Sequence, residues 1–153
     1  MDHAKRAGDL FREGYNCSQA LVCAFGDVTG LEQDAAARLA SSFGGGMGRM
    51  REVCGAVSGA LLVLGMDCGY ADPQDAGAKA DHYHRVQEFA RRFREKHGSI
   101  ICRELLEGVP VTPGPQPQKR DEAFYRSRPC LKLIESSAGI LEQMLEELQG
   151  EDG

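Results

Sequence analysis

The sequence predicts an all-α, single-domain protein, a bundle of about six helices with a proline-rich loop. Three observations carry this. Strand-like alternation of apolar and polar residues is nearly absent. Apolar residues instead recur at spacings of three and four, the helical period. The length of 153 residues suits one domain and is enough for a core that needs no disulfide staples. No internal repeat divides the chain.

The elements run in order from the N-terminus. A helix is expected from about His3 to Glu13, stopping at Gly14. Asn16 is a good N-cap, and Gln19 three residues later completes a capping box. That second helix carries Leu21, Val22 and Phe25 and ends near Gly26. A third is expected over Glu32 to Ser41, ending at the glycine-rich bend Gly44-Gly45-Gly46-Met47-Gly48. A fourth, apolar helix covers Arg51 to Met66, and Gly69 and Pro73 punctuate the chain after it. The fifth is long, about Asp75 to Lys96. Ala76, Ala80, Tyr83, Val86, Ala90 and Phe93 form its apolar stripe, and Gly98 ends it. Ser99 can cap a short piece, Ile100 to Leu106. Residues 108–120 hold Pro110, Pro113, Pro115 and Pro117, which exclude a regular helix. The last helix is expected to start near Pro129, with Leu131, Ile134, Ala138, Leu141, Leu145 and Leu148 along one face. A flexible tail is expected over about 149–153.

Composition removes some functions. The net charge is −5. An acidic balance argues against a general nucleic-acid binder and against an anionic membrane surface as the main partner. The stretch Val53 to Met66 is too short to span a bilayer, so no membrane insertion is expected. No apolar signal core is present behind Met1, and a cytoplasmic location is expected. In a reducing compartment cysteines serve more often as metal ligands, redox groups or buried hydrophobes than as permanent staples.

The six cysteines are Cys17, Cys23, Cys54, Cys68, Cys102 and Cys130, and none forms a C-x-x-C pair. Four share a placement near expected helix starts: Cys17, Cys54, Cys102 and Cys130. Free backbone N–H groups and the positive end of the helix dipole favour thiolate there, the reactive and metal-binding form. Cys17 is the first choice for the most acidic thiol, because Asn16 and Gln19 define its helix start most clearly. The plainer alternative is that all four are small buried hydrophobes. A functional cluster requires at least two of the four within disulfide reach, with Cys54 in the group and Cys23 and Cys68 apart from it.

These residues resemble the C-GCAxxG-C-C family of redox-active proteins, whose members carry four characteristic cysteines and a central glycine motif. That motif reads Cys54-Gly55-Ala56-Val57-Ser58-Gly59 here. Cys17 lies in Gly14-Tyr15-Asn16-Cys17-Ser18-Gln19, Cys102 opens Cys102-Arg103-Glu104-Leu105-Leu106, and Cys130 comes directly after Pro129. The resemblance covers most of the chain and implies redox activity without naming a substrate. Cys23 and Cys68 fall outside the pattern.

Gly55 and Gly59 share a helix face with Ala56 and Ala60 beside it. Such a strip lets another helix come close and would bring a second cysteine or a cofactor to Cys54. The bend at 44–48 reads as a tight turn or, with Arg49 and Arg51, as an anion nest. His82 and His84 point about 200° apart on a helix and cannot share an ion. The basic run Arg85, Arg91, Arg92, Arg94 and Lys96 reads as a solvated face. The C-terminal leucine spacing reads as core, with a homodimer seam as the alternative.

Two redox mechanisms are open to Cys17, Cys54, Cys102 and Cys130 in an oxidoreductase-type protein. One is dithiol–disulfide exchange with a redox partner. The other is an iron–sulfur cluster or zinc held by the four thiolates for electron transfer. A helical interaction module with packing cysteines is the non-enzymatic alternative.

Overall fold

The computed structural model describes residues 2–152. The described residues are all-α, with nine helices and no strand. Helix α1 spans His3–Arg12 and is capped by Asp2, whose side chain accepts from the Lys5 amide. Helix α2 spans Cys17–Ala24 behind the expected Asn16–Gln19 capping box. Then come α3, Gly26–Thr29, and α4, Gln33–Ala40. Helix α5 spans Gly55–Cys68 and α6 spans Ala76–His97. The chain closes with α7, Cys102–Leu105, α8, Glu122–Ser127, and α9, Cys130–Asp152.

The count exceeds six because α3 and α8 are short helices without the apolar periodicity that marks the others. A single turn needs little more than a local cap. Asp121 supplies one for α8 by accepting from the Phe124 amide at 2.9 Å. No helix lies between Leu105 and Glu122, the stretch that holds the prolines. Helix α9 runs on through Asp152, and Gly153 lies outside the described residues.

Helix α5 is apolar on every side because it is central. It packs on α2, α6 and α9, and Ala56, Val57, Ala60, Val63 and Leu64 are fully buried. Around it α1 packs on α2 and α9, and α4 packs on α2. Ile134, Ala138 and Leu141 of α9 are also fully buried, so that apolar face is used within the chain. No described helix is long and apolar enough to cross a membrane.

Helix α5 begins at Gly55, which corrects the expected start at Arg51. Arg51 has a φ of 62°, in the left-handed region a right-handed helix cannot use, and Val53 pairs in an isolated antiparallel bridge with Ile101. The expected stripe on the fifth helix also fails in its first half. Ala76, Ala80 and Tyr83 are exposed, and the inward face is His82, Phe89, Ala90 and Phe93. The first turns of α6 reach beyond the core, and Tyr83 there meets the Tyr70 ring, edge to face at 5.9 Å. His84 is exposed, on a different face from buried His82. The basic run on α6 is solvated and partly paired: Arg91 binds Glu88 and Glu95, and Arg92 binds Glu88 and Glu147.

Candidate functional site: four cysteines at four helix starts

Each of the four cysteines opens a helix. Cys17, Cys102 and Cys130 are the first residues of α2, α7 and α9, and Cys54 is the N-cap of α5. Local sequence places each one. The Asn16 side chain accepts from the Gln19 amide at 2.8 Å, and the Gln19 side chain accepts from the Asn16 amide at 3.0 Å. Pro129 precedes Cys130 and cannot itself continue a backbone ladder upstream.

Tertiary contacts then bring the four together. A β-carbon on Gly55 would stand 3.0 Å from Cys17 Cβ and 2.9 Å from the Phe43 carbonyl oxygen. One on Gly59 would stand 2.8 Å from the Ser18 carbonyl oxygen. The bare face therefore lets α2 approach α5, and the second cysteine it delivers to Cys54 is Cys17. The Val53–Ile101 bridge aligns the next pair. The Cys54 amide donates to Ile100 O at 2.7 Å, and the Cys102 amide donates to Glu52 O at 2.6 Å. Gly46, at φ 71°, gives room on the other side, since a β-carbon there would lie 2.8 Å from Cys102 Cβ. Cys130 arrives with α9, which is tied to α5 where Ser137 Oγ donates to Ala56 O at 2.7 Å.

All four thiols line one cavity of about 400 Å³. Cys23 and Cys68 do not line it. The Cys23 thiol donates to Gln33 O at 3.6 Å, and the Cys68 thiol donates to Leu64 O at 3.3 Å. Cys17, Cys54, Cys102 and Cys130 are free thiols.

The thiols differ in acidity. Cys130 is lowered to about 7, chiefly by a hydrogen bond from the Cys17 thiol, with Arg128, Arg51 and Arg120 helping against burial. Cys17 is raised well above the ordinary thiol value, first because it donates that hydrogen bond, then by burial and the neighbouring cysteines. Cys54 is pushed up to about 12 by burial, although the Ala56 and Val57 amides pull the other way. Cys102 is raised by burial, against the pull of Arg51, whose Nη1 donates to its sulfur at 3.8 Å. This corrects the expectation that Cys17 would be the most acidic. A helix start favours thiolate at both members of the pair, so it cannot choose between them. The arginines stand beside Cys130 and decide the matter.

Among the described residues, no three His, Cys, Asp or Glu side chains converge where one metal ion would sit. The four thiols as arranged therefore do not fit a single zinc ion.

Arg49, Arg51, Arg120 and Arg128 also line the cavity, and no Asp or Glu does. The glycine-rich bend forms part of its wall. Gly45, Gly46, Met47, Gly48 and Arg49 all have positive φ, a left-handed turn that aims Arg49 and Arg51 inward. Arg49 reaches under the proline segment and donates to the carbonyl oxygens of Thr112, Gly114 and Gln116. Arg120 donates to Phe11 O at 2.6 Å and Tyr15 O at 2.9 Å. Arg128 donates to the Gln118 side chain. Sequence reasoning named Arg49 and Arg51 but missed Arg120 and Arg128. The adjacency Arg128-Pro129-Cys130 was the available signal for the latter.

No curated protein and no solved structure matches this chain. The model of one family, described as "Putative redox-active protein (C_GCAxxG_C_C)", matches residues 15–144, a span that contains all four site cysteines, and the chain belongs to that family.

Proposed function

We propose that the protein carries out dithiol–disulfide exchange, with Cys130 as attacking thiolate and Cys17 as resolving thiol. The convergence of Cys17 and Cys130, each the first residue of its helix, on the wall of one shared cavity carries this reading, and the mutual shift in their acidity supports it. Exchange runs through a thiolate and a mixed disulfide, so it needs one acidic thiol with a second in contact. The Cys130 thiolate attacks one sulfur of a substrate disulfide, the S–S bond breaks, and one thiolate leaves. Cys17 gives up its proton to the leaving thiolate and attacks the Cys130 sulfur. The Cys17–Cys130 bond closes, the bond between Cys130 and the substrate sulfur breaks, and the second sulfur departs as a thiolate. The protein gives up two electrons and the Cys17 proton, solvent supplies the second proton, and the disulfide becomes two thiols. Cys54 and Cys102 stay protonated at neutral pH and serve as a second, less reactive pair facing the same space.

The test is a redox titration of metal-free protein in glutathione or dithiothreitol buffers, with thiols counted after denaturation. The count is expected to fall by two, and peptide mapping to place the bond between Cys17 and Cys130. In Cys17→Ala, a mixed disulfide should persist on Cys130. A constant thiol count at every potential overturns the proposal. So does stoichiometric iron with sulfide, or zinc, in protein purified without oxygen, which would restore the cluster or zinc reading.

A further inference from the structure

We infer that the disulfide this cavity takes is a small anionic one, its acidic groups held by Arg51 and Arg128 beside the Cys17–Cys130 pair. The inference rests on the exchange reading above and adds the substrate class.

The cavity's charge is opposite to that of the molecule. The chain carries a net −5, yet the lining contains four arginines and no carboxylate. Elsewhere arginines are paired in the usual way: Arg91, Arg92 and Arg103 each meet a glutamate. None of the four cavity arginines has a carboxylate partner among the described residues. Two of them do not bond all their buried N–H groups even within the protein. Arg51 Nη2 and Arg128 Nε are buried and have no hydrogen-bond partner. A buried guanidinium N–H without an acceptor is costly, and such groups are rare unless something else satisfies them. The guanidinium fork matches a carboxylate or other oxyanion.

The size of the space points the same way. About 400 Å³ lies in the range of small-molecule pockets. Cys17 and Cys130 are half-buried within this cavity, and the proline segment is tied across the site by Arg49. A disulfide in a folded protein could not enter without displacing that segment, whereas a small molecule needs no such rearrangement.

The experiment uses a charge series of similar size: dithiodiglycolate (two carboxylates), 2-hydroxyethyl disulfide (neutral) and cystamine (two ammonium groups). Rates of oxidation of reduced full-length protein are divided by each probe's rate with free mercaptoethanol at the same pH. The normalised anionic rate should exceed the neutral one by about tenfold, the scale of one charge-assisted contact, with cystamine slowest. In Arg51→Gln and Arg128→Gln all rates fall, since both arginines also favour the Cys130 thiolate. The informative quantity is therefore the anionic-to-neutral ratio, which should collapse toward one. Adipate, the sulfur-free counterpart of dithiodiglycolate, should protect Cys130 of the wild type from iodoacetamide.

Equal normalised rates in the wild type, or no protection by adipate, overturn the inference and leave the exchange reading standing. A ratio unchanged in both variants overturns the assignment to Arg51 and Arg128. If no probe closes the Cys17–Cys130 bond, the exchange reading itself fails. The wild-type series needs no variant to fold, so the preference is tested in any case.

Discussion

Gly55 packs so tightly on Cys17 that a β-carbon at position 55 would stand 3.0 Å from the Cys17 Cβ. One missing methyl group thus sets the distance between α5 and the helix that carries the resolving thiol. The same face continues at Gly59, against backbone atoms of Ser18 that cannot move aside. Gly55→Ala and Gly59→Ala are expected to destabilise. The helix-propensity gain of about 1 kcal/mol is outweighed by about 1–3 kcal/mol of overpacking. Gly139→Ala is the contrast: it is exposed in mid-helix with nothing within 4 Å, and it should stabilise by about 0.5–1 kcal/mol. Urea or thermal unfolding of the three variants should give opposite signs.

Cys130 should alkylate with a pH midpoint near 7, since its thiolate is present above that pH and lost below it. Replacing Cys17 separates the cause. Cys17→Ala removes the donor and should move the midpoint up, while Cys17→Ser keeps a donor and should move it less. Arg128→Gln should also raise it. Iodoacetamide rates against pH, read by mass at Cys130, check all three. A midpoint that does not move in Cys17→Ala would show that the hydrogen bond is not the main cause.

Stability should decline at alkaline pH. The folded value of Cys54 is raised to about 12, from an ordinary 9.0. Between these values the unfolded chain has released the proton and the folded one still holds it. The contribution is therefore complete below pH 9 and is lost as pH rises toward 12. Each such thiol gives a slope of up to about −1.4 kcal/mol per pH unit. Cys17 and Cys102 are shifted in the same direction and steepen it. Cys130 works the other way, since its folded value of about 7 lies below the ordinary 9.0, and its opposing slope has faded by about pH 10. Cys54→Ala should flatten the curve between pH 9 and 10.5, measured as slopes of unfolding free energy rather than absolute values.

Arg49 ties residues 112–116 across the cavity. Arg49→Gln should loosen that segment. Amide exchange over residues 110–118 and proteolysis there should both rise, and Cys130 should alkylate faster, by up to about tenfold if one charged hydrogen bond is lost. Unchanged exchange in the segment would show that the prolines hold it without Arg49.

Much of this protein was legible in its sequence. Helical periodicity and caps are local, so the all-α class, the Asn16–Gln19 start, the long helix ending at Gly98 and the four cysteines at helix starts could all be read from neighbours in the chain. The strip of Gly55 and Gly59 foretold a close helix approach, because a missing side chain is visible in sequence even when its partner is not. What tertiary structure decided is identity and charge. It chose Ser18 and Cys17 as the atoms against that strip, used the Val53–Ile101 bridge to set Cys54 beside Cys102, and turned Tyr83 outward where α6 leaves the core. It also brought Arg51 and Arg120, distant in the chain, to join the adjacent Arg128 beside Cys130. The field at a thiol sums over everything near it in space, and helix starts supply only the part of that field that the adjacent sequence can show.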